Sequence, residues 1–214
     1  VITEYVNLLP GEKVEFEQKE NEVRVKCESY KTKIKTQPAQ DFPLLPVVGK
    51  EKHHLVGVDD LRVALGQVLF AVSNNETRVE LSGVLFWLFK DKIILVGTDS
   101  YRLAEREIKA KTNYDPGDAR VVIPARTLQE LVRILSSIKS DDQLESGSEL
   151  KICFSENQVS FSLGQTELVS RVINGNYPDY KQIIPIKFPS SVVLSRDELL
   201  RAVKASAIFA KVCP

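Results

Sequence analysis

The chain has 214 residues, 43% of them hydrophobic and 27% charged, with 29 basic and 29 acidic side chains. That length admits one large domain or two smaller ones, and the composition is that of an ordinary globular protein. The balanced charge argues against nucleic-acid binding through a broadly basic surface, but not against a protein that surrounds DNA, which needs only a local positive lining.

In chain order, a helix-like segment over residues 2–9 is followed by alternating apolar residues around a polar turn over 14–25, the signature of a β-hairpin. The strand 30–36 follows. Proline accumulates up to Pro46, which reads as a boundary. Residues 58–73 carry Leu61, Leu65, Val68, Leu69 and Val72 at helical spacing, with Asp59 or Asp60 placed to cap the helix. Strand-like stretches cover 78–89, 92–98, 102–109 and 120–123. A second helix is expected near 125–138 and a second hairpin over 150–161. Pro185 and Pro189 mark another boundary. Beyond it Ser195 and Glu198 form a capping-box pattern ahead of Leu199, Leu200, Val203 and Ala207.

These elements repeat. Segment 14–25 (VEFEQKENEVRV) lies on segment 150–161 (LKICFSENQVSF), matching apolar positions 14, 16, 23 and 25 to 150, 152, 159 and 161. Each copy follows a helix-like segment ending in leucines and precedes an aromatic-Pro pair, Phe42-Pro43 or Tyr177-Pro178. The offset stays at about 135 residues, as a repeated structural unit requires. Segment 60–71 (DLRVALGQVLFA) similarly resembles 199–210 (LLRAVKASAIFA). The chain reads as the end of one repeat (1–48), one complete repeat (49–186) and the start of a third (187–214). Each complete repeat holds two helices and about eight strands, an α+β arrangement of helices packed on antiparallel sheet. With Val1 at its start, no Met, and a stop soon after a helical pattern, the chain reads as part of a longer protein.

Segments 78–86 (RVELSGVLF) and 95–104 (LVGTDSYRLA) carry a family resemblance. They are similar to the second-domain signature of the bacterial DNA polymerase III beta subunit, the sliding clamp family, whose usual form is Leu-x-Gly followed by Ala-Thr-Asp-Gly-His-Arg-Leu-Ala. Segments 122–126 (VIPAR), 174–180 (NGNYPDY) and 41–43 (DFP) extend the match in order along the chain. The resemblance implies a DNA-clamp, processivity-factor fold of three like domains per protomer, with two protomers closing a homodimeric ring around duplex DNA. It also implies sequence-independent DNA contact and capture of the replicative polymerase, the clamp loader and other replication or repair proteins through a peptide-binding pocket. No catalysis and no cofactor are implied.

Carried over residue by residue, the pocket would hold Leu81, Thr98, Ser100, Tyr101, Arg102, Leu103, Pro178, Gln182 and Ile183. Ser100 stands where the family commonly has Gly, and Tyr101 where it has His. DNA-facing positions would be Arg62, Asn75, Arg78, Arg126, Arg133 and Lys204; Arg126 and Arg133, seven apart, share a helix face. Thr32 and Ile34 would mark the strand edge that joins the ring, a joint this length of chain is not expected to close by itself.

Other readings are weaker. Cys27, Cys153 and Cys213 are odd in number and widely spaced, which fits neither a disulfide framework nor a zinc site. His53-His54 lacks the further ligands a metal needs, and Thr98-Asp99-Ser100 lacks the histidine or elbow of a nucleophilic site. The longest apolar run, residues 83–89, is strand-sized, far short of the roughly 20 residues of a membrane helix. No basic signal peptide opens the chain, so a cytoplasmic location is expected. A carboxylate cluster in one concave pocket would favour an enzyme on the same fold. A closed ring with a basic lumen would separate a true clamp from a module that only binds peptides.

Overall fold

The computed structural model describes residues 2–11, 13–41, 48–74, 77–138 and 148–210. The chain divides into two compact units, Val1–Gly49 and Lys50–Pro214. The expected aromatic-Pro pair Phe42-Pro43, the boundary at Pro46, Asn75 and Cys213 lie outside the described residues.

In the first unit, a short helix α1 (Ile2–Asn7) precedes β1 (Glu15–Lys19), β2 (Glu22–Cys27) and β3 (Tyr30–Lys35), which form an antiparallel meander in the order β1-β2-β3. Its period-two pattern puts Phe16, Val23, Val25, Thr32 and Ile34 on one face. Only Val25 and Cys27 of these strands are buried.

The second unit begins with β4 (His54–Gly57) and α2 (Val58–Val68), then β5 (Gly83–Leu88), β6 (Lys92–Thr98), β7 (Leu103–Thr112) and β8 (Arg120–Pro124). It continues through α3 (Ala125–Ile138), β9 (Glu149–Phe154), β10 (Gln158–Leu163), β11 (Thr166–Arg171) and α4 (Arg196–Ala210). Strands β4 to β11 form one antiparallel sheet in the order β11-β10-β9-β4-β7-β6-β5-β8. Beyond β11, Ile173 bridges to Val122 of β8, so the chain returns from one edge strand to the other.

Helices α2 and α3 pack against each other and the sheet. Leu61, Ala64, Leu65 and Val68 from α2 meet Leu128, Leu131 and Leu135 from α3 over Val84, Phe86, Ile93, Leu95, Ile152 and Phe161. Apolar residues at three- and four-residue spacing on each helix supply this stripe. Gly97 allows the close approach: a Cβ there would sit 2.8 Å from the Val68 carbonyl.

On β5, β6, β7 and β8 the alternate residues point the other way. Leu85, Ile94, Val96 and Val122, with Leu103 at their margin, form a second cluster under Ile173, Tyr177 and Tyr180. The sheet there is covered on one face by helices and on the other by the strap that follows β11.

The repeat extends to register. Phe16 faces Val25 and Gln18 faces Val23, as Ile152 faces Phe161 and Phe154 faces Val159. The third strands continue it, since Val25 faces Thr32 and Val23 faces Ile34, while Phe161 faces Leu168 and Val159 faces Ser170.

Two sequence expectations need correction, and a third element forms as expected but without burial. Residues 78–89 are not one strand, because a 3-10 turn (Val79–Leu81) precedes β5, with the Ser82 N–H donating to the Val79 carbonyl. Neither Asp59 nor Asp60 caps α2; Gly57 holds the cap position without a side-chain bond, and both acids lie in the first turn, where they suit the helix dipole. On α4, Leu199, Leu200 and Val203 are exposed, although they repeat the spacing that buries α2.

Candidate functional site: a cavity and strap at the end of strand β6

Strand β6 ends at Thr98, and residues 99–102 turn tightly into β7. Asp99 organises that turn. Its carboxylate accepts from the backbone N–H of Arg102 (2.7 Å) and of Tyr101 (2.9 Å), and from the Arg102 guanidinium at 2.8 and 3.0 Å. These bonds, led by the Arg102 backbone N–H, hold its pKa down to about 2. Thr98 donates its hydroxyl to the Arg102 carbonyl at 2.7 Å.

Ser100 has φ 77°, the left-handed region. The position commonly held by Gly in the resemblance is therefore one that Gly occupies without strain. Ser100 gains a compensating contact there, since Arg78 donates to its hydroxyl at 3.0 Å.

The turn forms one wall of a cavity of about 550 Å³ lined by Ser73, Asn74, Arg78, Leu81, Asp99, Ser100 and Tyr101. Leu81 is buried at its base, and Tyr101 is 96% exposed at its rim. Thr98 is buried beside the turn, and Arg102 stacks over exposed Phe70 with 5.8 Å to the ring centroid. A smaller cavity of about 300 Å³ shares Ser73 and Asn74 and adds Val79, Ser82, Ala125, Arg126 and Gln129.

Of the remaining expected pocket residues, Leu103 opens β7, and Pro178, Gln182 and Ile183 sit on the strap. Leu103 and Tyr177 both pack against the second cluster, and Pro178 follows Tyr177 in the chain. Tyr177 donates its hydroxyl to the Val96 carbonyl at 3.3 Å, and burial raises its pKa. Gln182 and Ile183 lie in a 3-10 turn (Tyr180–Ile183), both exposed, Gln182 donating to Asp179 at 2.8 Å. The structure thus brings Leu81, Ser100 and Tyr101 to one cavity and Leu103 to the strap; no described contact draws Ile183 into the cavity.

The expected DNA-facing residues separate. Arg78 lines the cavity and reaches both Ser100 and Glu80 (3.3 Å). Arg62 pairs with Asp59 at 3.3 Å, and Arg133 is held by Glu130 through three hydrogen bonds. Arg126 is exposed and makes no ion pair with a described residue. Lys204 is exposed on α4. Asn75 lies outside the described residues. Thr32 and Ile34 are half-buried on β3, an edge strand paired only with β2 among the described residues.

Sequence reasoning missed Ser73, Asn74 and Asp99 as lining residues. Asp99 had a signal, since an aspartate two and three residues before the N–H groups of a turn is placed to accept from them. Ser73 and Asn74 had none, because only the packing of α2 on β6 brings them there. His54 is a core residue, fully buried and edge-on to Tyr114 and Phe154, and burial lowers its pKa.

Comparison with known proteins identifies the family. Residues 56–179 match the family described as DNA polymerase III beta subunit, central domain. The chain is 33% identical over 196 residues to the beta sliding clamp of a Synechocystis species, covering 87% of this chain and 49% of that protein. Among solved structures, the DNA polymerase sliding clamp of Bacillus subtilis superposes with a TM-score of 0.73 at 31% identity, covering 87% of this chain and 47% of that one. A Pseudomonas aeruginosa sliding clamp shows the same fold over 97% of this chain and 54% of that one, with a TM-score of 0.81 at 24% identity. An α+β unit of two helices on antiparallel sheet, repeated along the chain, is the clamp-type fold. The chain belongs to the DNA polymerase III beta subunit family. It spans about half the length of the curated relatives it matches.

Proposed function

We propose that the protein is a sliding clamp: a non-catalytic ring that encircles duplex DNA and tethers the replicative polymerase, the clamp loader and other partners through short peptides. Residues 49–186 would be its middle domain, with parts of the first and third domains on either side. The observation that carries this reading is the cavity itself. Leu81, Ser100 and Tyr101, named from the family signature, line one concave site with polar neighbours able to orient a peptide between hydrophobic anchors. Leu103 and the strap extend that surface. The edge of β3, unpaired on its outer side among the described residues and carrying Thr32 and Ile34, suits strand-to-strand closure of a homodimeric ring. Exposed Arg126, together with Arg62, Arg133 and Lys204, supplies weak phosphate contacts without fixing a sequence.

Topological retention tests the reading. The intact protein assembled on circular duplex DNA should remain bound in high salt and leave once the DNA is linearised. Light scattering should report a dimer. A monomer, or equal loss from circular and linear DNA, would rule out the ring.

A further inference from the structure

The strap after β11 is fixed to the sheet by two tyrosines that grip one register pair. Val96 of β6 faces Glu105 of β7. Tyr177 donates to the Val96 carbonyl, and Tyr180, only 4% exposed, donates to the Glu105 carboxylate. The same carboxylate oxygen accepts from the Lys181 ammonium at 2.7 Å. Glu105 lies two residues beyond Leu103 on β7, so both side chains leave the sheet on the same face. One acidic side chain therefore ties together the strand carrying Leu103 and the 3-10 turn carrying Gln182 and Ile183.

We infer that Glu105 is a positioning residue for the partner-peptide surface: it anchors Tyr180 and Lys181, and so sets where the turn Tyr180–Ile183 stands relative to Leu103. This rests on the reading of that surface as a peptide site. Burial of the Tyr180 ring leaves its hydroxyl a single charged acceptor, and a bond of that kind is stronger than a neutral one. Burial and the neighbouring carboxylate push the Tyr180 pKa upward. At Glu105 burial acts to raise the pKa, but the bonds from Lys181 and Tyr180 outweigh it and hold the carboxyl below the usual range. Both groups thus keep the protonation states the bond needs across neutral pH.

The test uses the intact protein and a fluorescein-labelled peptide bearing two leucine anchors, read by anisotropy, with hydrogen exchange as the second readout. Glu105→Ala and Tyr180→Phe should each weaken peptide binding about three- to tenfold. Exchange should rise in residues 177–184 and stay unchanged in α2 and α3. Glu105→Gln, which keeps an acceptor for Tyr180, should recover most of the affinity. The inference is overturned if Glu105→Ala binds like wild type, or if exchange rises equally throughout the unit. Absence of binding by the wild-type protein removes the peptide reading itself, and the positioning role with it. Binding that Leu103→Asp abolishes and Glu105→Ala leaves intact removes only the positioning role.

Discussion

The two faces of the eight-stranded sheet are closed by different means. The helix face is a continuous apolar core in which Leu61, Leu65, Leu128 and Leu131 interlock with Phe86, Leu95 and Phe161. The strap face has a smaller cluster of Leu85, Ile94, Val96 and Val122, sealed by two tyrosine rings and tied down by polar bonds. Close packing over a large area resists change, because each lost methylene leaves a cavity. A strap held by a few hydrogen bonds is an adjustable element. The core face sets the fold, and the strap face is where the peptide surface is proposed.

The comparison predicts its largest effect on stability. Leu131→Ala should cost about 2–5 kcal/mol by equilibrium denaturation, since it opens a cavity under both helices. Tyr180→Phe on the strap face should cost about 1.5–3 kcal/mol, the range for one hydrogen bond to a charged group. Equal costs would mean that the strap belongs to the main cooperative core.

A functional counterpart comes next. Leu103→Asp should reduce peptide affinity by about 2 kcal/mol or more, the scale of a buried interface anchor. Leu103 is only half-buried at the margin of its cluster, so circular dichroism and the thermal midpoint should move little. Peptide binding should also respond only weakly to salt, because its anchors are apolar. Wild-type affinity in the Asp variant would place the peptide elsewhere.

How much of this was legible in the sequence follows the same division. Period-two alternation in 14–25 and 150–161 specified both hairpins, and even their pairing registers coincide. Burial was not legible from that pattern. Ile152 is fully buried, whereas Phe16 at the equivalent position of the first hairpin is 55% exposed. Helices α2 and α3 cover the second hairpin, whereas every residue of β1 is exposed and only Val25 and Cys27 of β2 are buried. The same holds for α4, whose leucines repeat the spacing of α2 without a sheet beneath them among the described residues. In the site, residues adjacent in sequence, such as those of the Asp99 turn, could be named from the chain. Those assembled by packing could not: Ser73 and Asn74 reach the cavity from the end of α2, and Glu105 meets Tyr180 only through the strap.

A smaller effect is expected at Ser100. Relief of its left-handed strain favours Ser100→Gly by about 1 kcal/mol, but the change also removes the hydroxyl that holds Arg78. The thermal midpoint should therefore rise slightly while binding of an acidic peptide weakens, as Arg78 loses its fixed place in the cavity. If stability falls instead, the Arg78 bond outweighs the strain. The opposed directions separate a backbone effect from a pocket effect without disturbing the helix face.

The smallest effect concerns the exposed side of the helix that closes the core. Arg126 and Arg133 share that side of α3, but their surroundings differ. Arg133 is already engaged by Glu130, whose side-chain bonds, with the attraction of the opposite charge, raise the Arg133 pKa and lower that of Glu130. A phosphate must compete with that carboxylate for the guanidinium. Arg126 has no such partner among the described residues. Each phosphate contact steepens the dependence of log affinity on log salt by about 0.9. Arg126→Ala should therefore lower the slope for duplex DNA by close to that amount, and Arg133→Ala by clearly less. Glu130→Gln should move the other way, freeing Arg133 and steepening the slope. Anisotropy with a labelled duplex across a salt series reads all three variants of the intact protein. Identical slopes for wild type and Arg126→Ala would take the exposed side of α3 out of contact with DNA, leaving its role to the core beneath.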